Sequence, residues 1–116
     1  MYGILAEDKS DVATLKEFVR KLANDDSIVV KGKGYAGCGE MLKKGKIQLG
    51  LFAKLGYKYL IICYDADNEK PQKRYQQVVS RIVEKTNLIS QIICILIPVQ
   101  KIEAWILADI EAVKYF

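Results

Sequence analysis

Histidine does not occur anywhere in this chain of 116 residues. Its absence excludes Ser-His and Cys-His nucleophilic catalysis, histidine acid–base chemistry and histidine-ligated zinc. Cysteine is scarce. Cys38, Cys63 and Cys94 are odd in number and match no C-x-x-C spacing, which argues against both a disulfide scaffold and a structural zinc site. Cys63 and Cys94 lie inside apolar runs, where a thiol is expected to serve as a small buried hydrophobe. Proline and glycine are not enriched enough to suggest low complexity. No stretch reaches the roughly 18 uncharged apolar residues that a membrane helix needs. The apolar start Met1 to Ala6 is closed by Glu7, with neither the basic beginning nor the cleavage site of a signal peptide. A cytoplasmic protein without a membrane partner is expected.

What remains for chemistry is carboxylates, lysines, hydroxyls or a metal. The hydrophobic fraction of 51% supports a real core, and the length suits one domain over residues 1–116. Net charge is +4, from 18 basic and 14 acidic residues. The bases are unevenly spread. Lys31, Lys33, Lys43, Lys44, Lys46, Lys54 and Lys58 fall in one stretch, with no acid between Glu40 and Asp65. Such a surface suits a phosphate backbone, although a solvated lysine-rich face has the same composition.

Strand and helix patterns alternate. Tyr2 to Ala6 reads as a short buried strand. Val12, Leu15, Phe18, Val19 and Leu22 recur at helical spacing, with Ser10 or Asp8 as the cap, and Asn24-Asp25-Asp26 reads as the turn that follows. Ser27 to Val30 reads as a second strand. Gly32, Gly34, Gly37 and Gly39 then suggest a loop, without the spacing of a Walker or dinucleotide motif. Met41 to Leu55 reads as a helix and Tyr59 to Tyr64 as a central strand buried on both faces. Tyr75, Val78, Val79, Ile82 and Val83 mark a further helix, with Pro71 in its first turn. Ile92 to Ile97, closed by Pro98, reads as another buried strand, and Ile102 to about Val113 as a last helix in which Trp105 anchors a core or an interface. Strands separated by helices predict an α/β fold: an open, mainly parallel sheet of about four strands with flanking helices.

Right-handed crossovers place every strand-to-helix loop at one edge of such a sheet, where these folds hold ligands. Three acidic signals follow strands: Glu7 with Asp11, Asp65 with Asp67, and Glu103. Gathered carboxylates repel one another unless a cation sits among them. Their oxygens suit Mg²⁺ or Mn²⁺, Asn68 adds another oxygen, and Asp109 lies further along the last helix as a weaker candidate. Each pair alone is compatible with plain turn and helix-start punctuation. Their coincidence at three strand ends points to a divalent-metal site.

The run Gly3-Ile4-Leu5-Ala6-Glu7-Asp8-Lys9-Ser10-Asp11, the strand Ile61-Ile62-Cys63-Tyr64-Asp65-Ala66-Asp67 and the segment Lys101-Ile102-Glu103-Ala104-Trp105-Ile106-Leu107-Ala108-Asp109 together resemble the Toprim fold. The last looks like the E-A-W-L-L-A-D segment of a Toprim-like branch that is associated with mobile-element and phage-defence loci. That branch is related to nucleases of the overcoming-lysogenization-defect type. The resemblance implies a Mg²⁺-dependent nuclease acting on DNA or RNA, sometimes with an ATPase partner. Glu7 would serve as general base or metal ligand, and Asp65 and Asp67 would hold Mg²⁺ (or Mn²⁺). Asp11 and Glu103 would support a second ion. Lys9 and Lys101 stand beside the acids and are candidates for phosphate contact, together with Lys31, Lys33, Lys43 and Lys44. Asp8 stands where the family usually has glycine, which adds charge to that turn. Members of the branch run beyond the E-A-W segment, so a C-terminally shortened form is expected here.

Two other readings use the same residues. A receiver-like phosphoacceptor domain would use Glu7 and Asp8 for Mg²⁺, Asp65 as acceptor and Lys101 for the phosphate. Against it stand only four clear strands and a superfluous Asp67. A non-catalytic Toprim module would bind a partner protein or nucleic acid, with Trp105 and the last helix at the interface. Primase-type polymerisation suits a chain this short less well.

Overall fold

The computed structural model describes residues 1–25, 27–66, 69–86 and 91–98. In chain order the elements are β1 (Tyr2–Ala6), α1 (Lys9–Ala23), β2 (Val30–Gly34), α2 (Cys38–Lys54), β3 (Tyr59–Cys63), α3 (Pro71–Val78), a π-helical turn (Val79–Val83) and β4 (Ile92–Leu96). The strands form one parallel sheet in the order β2-β1-β3-β4. Tyr2 pairs with Val30 on one side and Tyr59 on the other, and Tyr59 pairs with Ile92. The expected α/β architecture is therefore present. Among the described residues no helix is long and apolar enough to cross a membrane.

The two-residue period of a strand divides the core into two layers. Ile4, Ala6 and Cys63 pack with Val12, Leu15 and Val19 of α1 on one face. Leu5, Leu60 and Ile62 pack on the other with Met41, Leu49 and Phe52 of α2, with Val78 at the end of α3 and with Ile82 of the π-helical turn. Leu15, Met41, Leu49, Leu60 and Ile62 are fully buried, each contributing about 2 kcal/mol of transfer free energy. Asp8 is the residue that starts α1. Its extended backbone lets the carboxylate accept the Asp11 N–H at 2.9 Å. At the other end Asn24, in the left-handed region at φ 52°, returns its N–H to the carbonyls of Arg20 and Lys21.

Three expectations need correction. The second strand is Val30–Gly34, not Ser27 to Val30, so Gly32 and Gly34 belong to the sheet, and Gly39 lies in α2. The reason is close packing: a Cβ on Gly34 would stand 2.5 Å from the Asp8 carbonyl carbon and the Lys9 nitrogen. A β-branched run would have held the α1 start off the sheet. The helix expected through Val83 does begin at Pro71, but it is α-helical only to Val78 and then widens to π. Finally, β4 is not buried on both faces. Ile92 is exposed, and so is Cys94, which was expected inside. Helix α1 packs over β1 and β2, while β4 has β3 as its one strand neighbour among the described residues. Cys63, by contrast, is 2% exposed, as expected.

These packings predict opposite signs for two glycine substitutions. Gly34→Ala forces backbone against backbone and is expected to cost about 1–3 kcal/mol. Gly50→Ala, inside α2 with open space around the new methyl group, is expected to stabilise by about 0.5–1 kcal/mol. Urea unfolding of both variants checks this, and equal effects would contradict the packing.

Candidate functional site

In this strand order the winding direction reverses between β1 and β3, and in open α/β sheets ligands bind in the crevice at that reversal, beyond the carboxyl ends of the strands. Glu7 follows β1 and Asp65 follows β3 by two residues. Parallel pairing of β1 with β3 ends at Ala6 and Cys63. On the other side of β3 the chain continues to bond, with the Tyr64 N–H donating to the Leu96 carbonyl at 3.0 Å and the Ala66 N–H to the Pro98 carbonyl at 2.9 Å. The intervening Asp65 N–H faces the other way, where no backbone carbonyl of β1 continues the ladder. The Glu7 Oε1 accepts it at 3.0 Å. A side chain has taken over a rung of the sheet.

Glu7 is also held from the opposite flank. Its carbonyl accepts the Gly37 N–H at 3.1 Å. Gly37, at φ 105° and ψ 172°, occupies a region essentially reserved for glycine and begins α2. Gly37, expected in a glycine-rich loop, thus positions Glu7 by a backbone bond.

The other acids crowd the same edge. Asp11 lies in the first turn of α1, is 6% exposed and makes Asp8 its N-cap partner through its own amide. The Cys63 thiol registers the cluster. Burial pushes its pKa far up, and the negative charges of Asp65, Asp11, Glu7 and Asp8, in that order, push it further. Four carboxylates thus act on one sulfur between the two strand ends. The Ser10 hydroxyl at 2.7 Å, followed by the Asp11 amide, holds the Asp8 carboxyl below the usual carboxylate range.

The segment after β3 is braced by a residue without a sequence signal. Arg74 of α3 donates from Nε to the Ala66 carbonyl at 3.1 Å and from Nη1 to the Tyr64 hydroxyl at 2.6 Å and to Gln77 Oε1 at 3.3 Å. Its guanidinium carbon also lies 4.8 Å from the centre of the Tyr64 ring. Burial, followed by contact with Cys38, pushes the Tyr64 hydroxyl up to about 12, and the arginine pulls it the other way. The hydroxyl therefore stays protonated beside the site. No periodicity marks Arg74, because its partners are a carbonyl and a phenol eight and ten positions away.

The structure brings the Glu7 carboxylate to the Asp65 amide and sets Asp8 and Asp11 at the start of α1, directly after Glu7. Asp67, Asn68, Lys101, Glu103, Trp105 and Asp109 lie outside the described residues, as does the helix expected from Ile102. Lys9 opens α1 beside the carboxylates. Lys31 and Lys33 lie on edge strand β2, and Lys43 and Lys44 lie exposed on α2, across the sheet from α1. Among the described residues no three of histidine, cysteine, aspartate and glutamate form a ready-made metal cage. The donor set is nevertheless of the right kind for a hard cation. It consists of carboxylate oxygens at a switch point, and Mg²⁺ is usually held by only one or two carboxylates, with waters and substrate phosphates completing the octahedron. No protein-family model, curated protein or solved structure matches this chain.

Two consequences are measurable. The depressed carboxyl of Asp8 stabilises the fold fully above its unfolded value of about 3.9, and that stabilisation is lost as pH falls through the lower folded value. Asp8→Ala is therefore expected to cost about 1 kcal/mol at neutral pH, and the gap to the wild type should close in acid melts. Arg74→Met keeps the stem and removes three hydrogen bonds. It is expected to cost about 1–3 kcal/mol and to speed amide exchange at Asp65 and Ala66 before that of β1.

Proposed function

We propose that this chain is a divalent-metal-dependent nuclease that hydrolyses phosphodiester bonds of DNA or RNA, with Glu7 and Asp65 at its centre. The observation that carries the reading is the 3.0 Å bond from the Asp65 amide to the Glu7 carboxylate. It brings acids 58 positions apart to the switch point of the sheet. Asp11 and Asp8 add negative charge there, and the Toprim-like motifs run through the same residues. Glu7 and Asp65 would hold Mg²⁺ or Mn²⁺, with Asp11 supporting them and Asp67 and Glu103 as further ligands by resemblance. When bound, the metal supplies charge neutralisation for the attacking and leaving oxygens of an in-line displacement. The chain's own part is orientation. Glu7 is pinned through its carbonyl by Gly37 and through one carboxylate oxygen by Asp65, so its remaining oxygen has little freedom to wander. Arg74 fixes the backbone that carries Asp65. A role in phage defence or on a mobile element, with or without an ATPase partner, accords with the resemblance.

The strand order favours a second reading. β2-β1-β3-β4 with acids after β1 and β3 is also the frame of a receiver-like phosphoacceptor, in which Glu7 and Asp8 would bind Mg²⁺ and Asp65 would accept phosphate. Under the nuclease reading, single-stranded or plasmid DNA is cleaved in Mg²⁺ or Mn²⁺ and not in EDTA. Glu7→Gln and Asp65→Asn are expected to lose roughly 100-fold or more while remaining folded. Mg²⁺ at about 100 times its dissociation constant should also stabilise the wild type by about 2.7 kcal/mol, an effect lost in Asp65→Asn. Acid-labile phosphate uptake from acetyl phosphate, lost in Asp65→Asn and without DNA cleavage, would instead establish the phosphoacceptor. Metal-dependent stabilisation and DNA binding with no cleavage would leave a non-catalytic module.

A further inference from the structure

The two rims of the sheet differ in kind. Edge strand β2 reads Val30-Lys31-Gly32-Lys33-Gly34, with both lysines exposed. Lysines on an edge strand deter another chain from pairing with it. At the other rim β4 reads Ile92-Ile93-Cys94-Ile95-Leu96, and Ile97 extends the run. This run carries no charge, no proline and no glycine. Ile92 is 54% exposed, Cys94 is exposed, and Ile93, Ile95, Leu96 and Ile97 are half-buried. The Ile92 N–H donates to the Lys58 carbonyl at 2.8 Å, and the Leu96 carbonyl accepts the Tyr64 N–H at 3.0 Å. The even-numbered residues of β4 therefore bond to β3, and the N–H and C=O groups of Ile93 and Ile95 point outward. Among the described residues nothing pairs with them. An uncharged apolar edge of this kind is a template for a further strand.

We infer that a second copy of the chain covers this edge, β4 pairing antiparallel with β4 of the partner subunit about a two-fold axis through Cys94. In an antiparallel pair, residues that bond across the gap face one another and so do those that do not, so odd positions meet odd and even meet even. Among such two-fold registers, the one centred on Cys94 keeps every residue of Ile92–Leu96 paired. Ile93 exchanges both backbone bonds with Ile95 of the partner subunit. Cys94 faces Cys94 of the partner subunit as a pair without hydrogen bonds, with Cα atoms about 4.5 Å apart. Ile92, the more exposed of the isoleucines, gains cover from Leu96 of the partner subunit. The strand has no charge to bury or to repel its copy. The contact uses up both β4 edges and joins two four-stranded sheets into one. The rims that remain are the lysine-bearing β2 strands, so the pairing closes at two chains. It runs along the sides of the strands and leaves the carboxylate centre at their ends open, and it does not depend on the nuclease reading.

Light scattering after gel filtration, across a dilution series, reads the mass. The wild type is expected at twice its 13.1 kDa. Cys94→Lys, which sets two lysines face to face, and Ile92→Lys, at the other exposed position, are expected at 13.1 kDa with unchanged circular dichroism. Mild oxidation with copper–phenanthroline reads the register. The Cα spacing falls within the roughly 4.4–6.8 Å of a disulfide, so the wild type and Cys38→Ser should give a covalent pair and Cys94→Ser none. In the Cys94→Ser background, Ile92→Cys/Leu96→Cys should restore the crosslink. Ile92→Cys alone should not, because the two copies of that position stand four residues, or about 13 Å, apart along the strands. A wild type that stays at 13.1 kDa when concentrated overturns the pairing and leaves the edge to residues beyond Pro98 or to another protein. Growth beyond two chains overturns its closure. Either lysine variant, folded and still paired, overturns the β4 contact. Crosslinking of Ile92→Cys alone as readily as of the 92/96 pair overturns the two-fold at Cys94. A monomer that cleaves DNA would keep the nuclease and remove the pair, and a dimer that cleaves nothing in Mn²⁺ would do the reverse.

Discussion

One carboxylate replaces a rung of the sheet, and the candidate site depends on that substitution. Where the β1–β3 ladder ends, the Asp65 amide meets the Glu7 side chain instead of a backbone carbonyl. A buried amide left unpaired would cost about 1–3 kcal/mol, so this bond holds the two strand ends in register past their last backbone pair. It also spends one oxygen of Glu7 on structure. Glu7 is thereby both a site residue and the clasp that assembles the site.

Around that clasp the supporting contacts come from three directions. Gly37 holds the Glu7 carbonyl from the start of α2. Asp8 anchors the first turn of α1, which brings Asp11 to the edge. Arg74 fixes the segment after β3 through a carbonyl and a phenol. Each is a local device of a few hydrogen bonds. Together they set negative charge beside buried Cys63, whose thiol is pushed up first by burial and only then by those charges. A hard cation would relieve the same repulsion, and the proposed metal site rests on that argument.

The two faces of the sheet serve different ends. The face under α2 carries most of the large core side chains, and α2 presents its lysines to solvent. The face under α1 is thinner. Its helix approaches β2 so closely that glycine is required at the crossing.

The alternation of short apolar runs with helical stripes was enough to read four strands, their helices and a mainly parallel sheet, because burial imposes periods of two and 3.6 directly on residue order. The acids Glu7, Asp11 and Asp65 were legible for the same reason: each lies just past a run whose end could be located. The boundary of β2 was not legible. Gly32 and Gly34 read locally as loop residues, and only the approach of Asp8 and Val12, far earlier in the chain, makes glycine a strand residue there. Cys94 looked buried because its run is apolar, yet exposure is set by which helix lies overhead, and α1 covers β1 and β2 instead. Arg74 and the Glu7–Asp65 clasp depend on neighbours distant in the chain. The one-dimensional pattern determined which elements form; the strand order and the distance of helix from sheet decided which side chains meet.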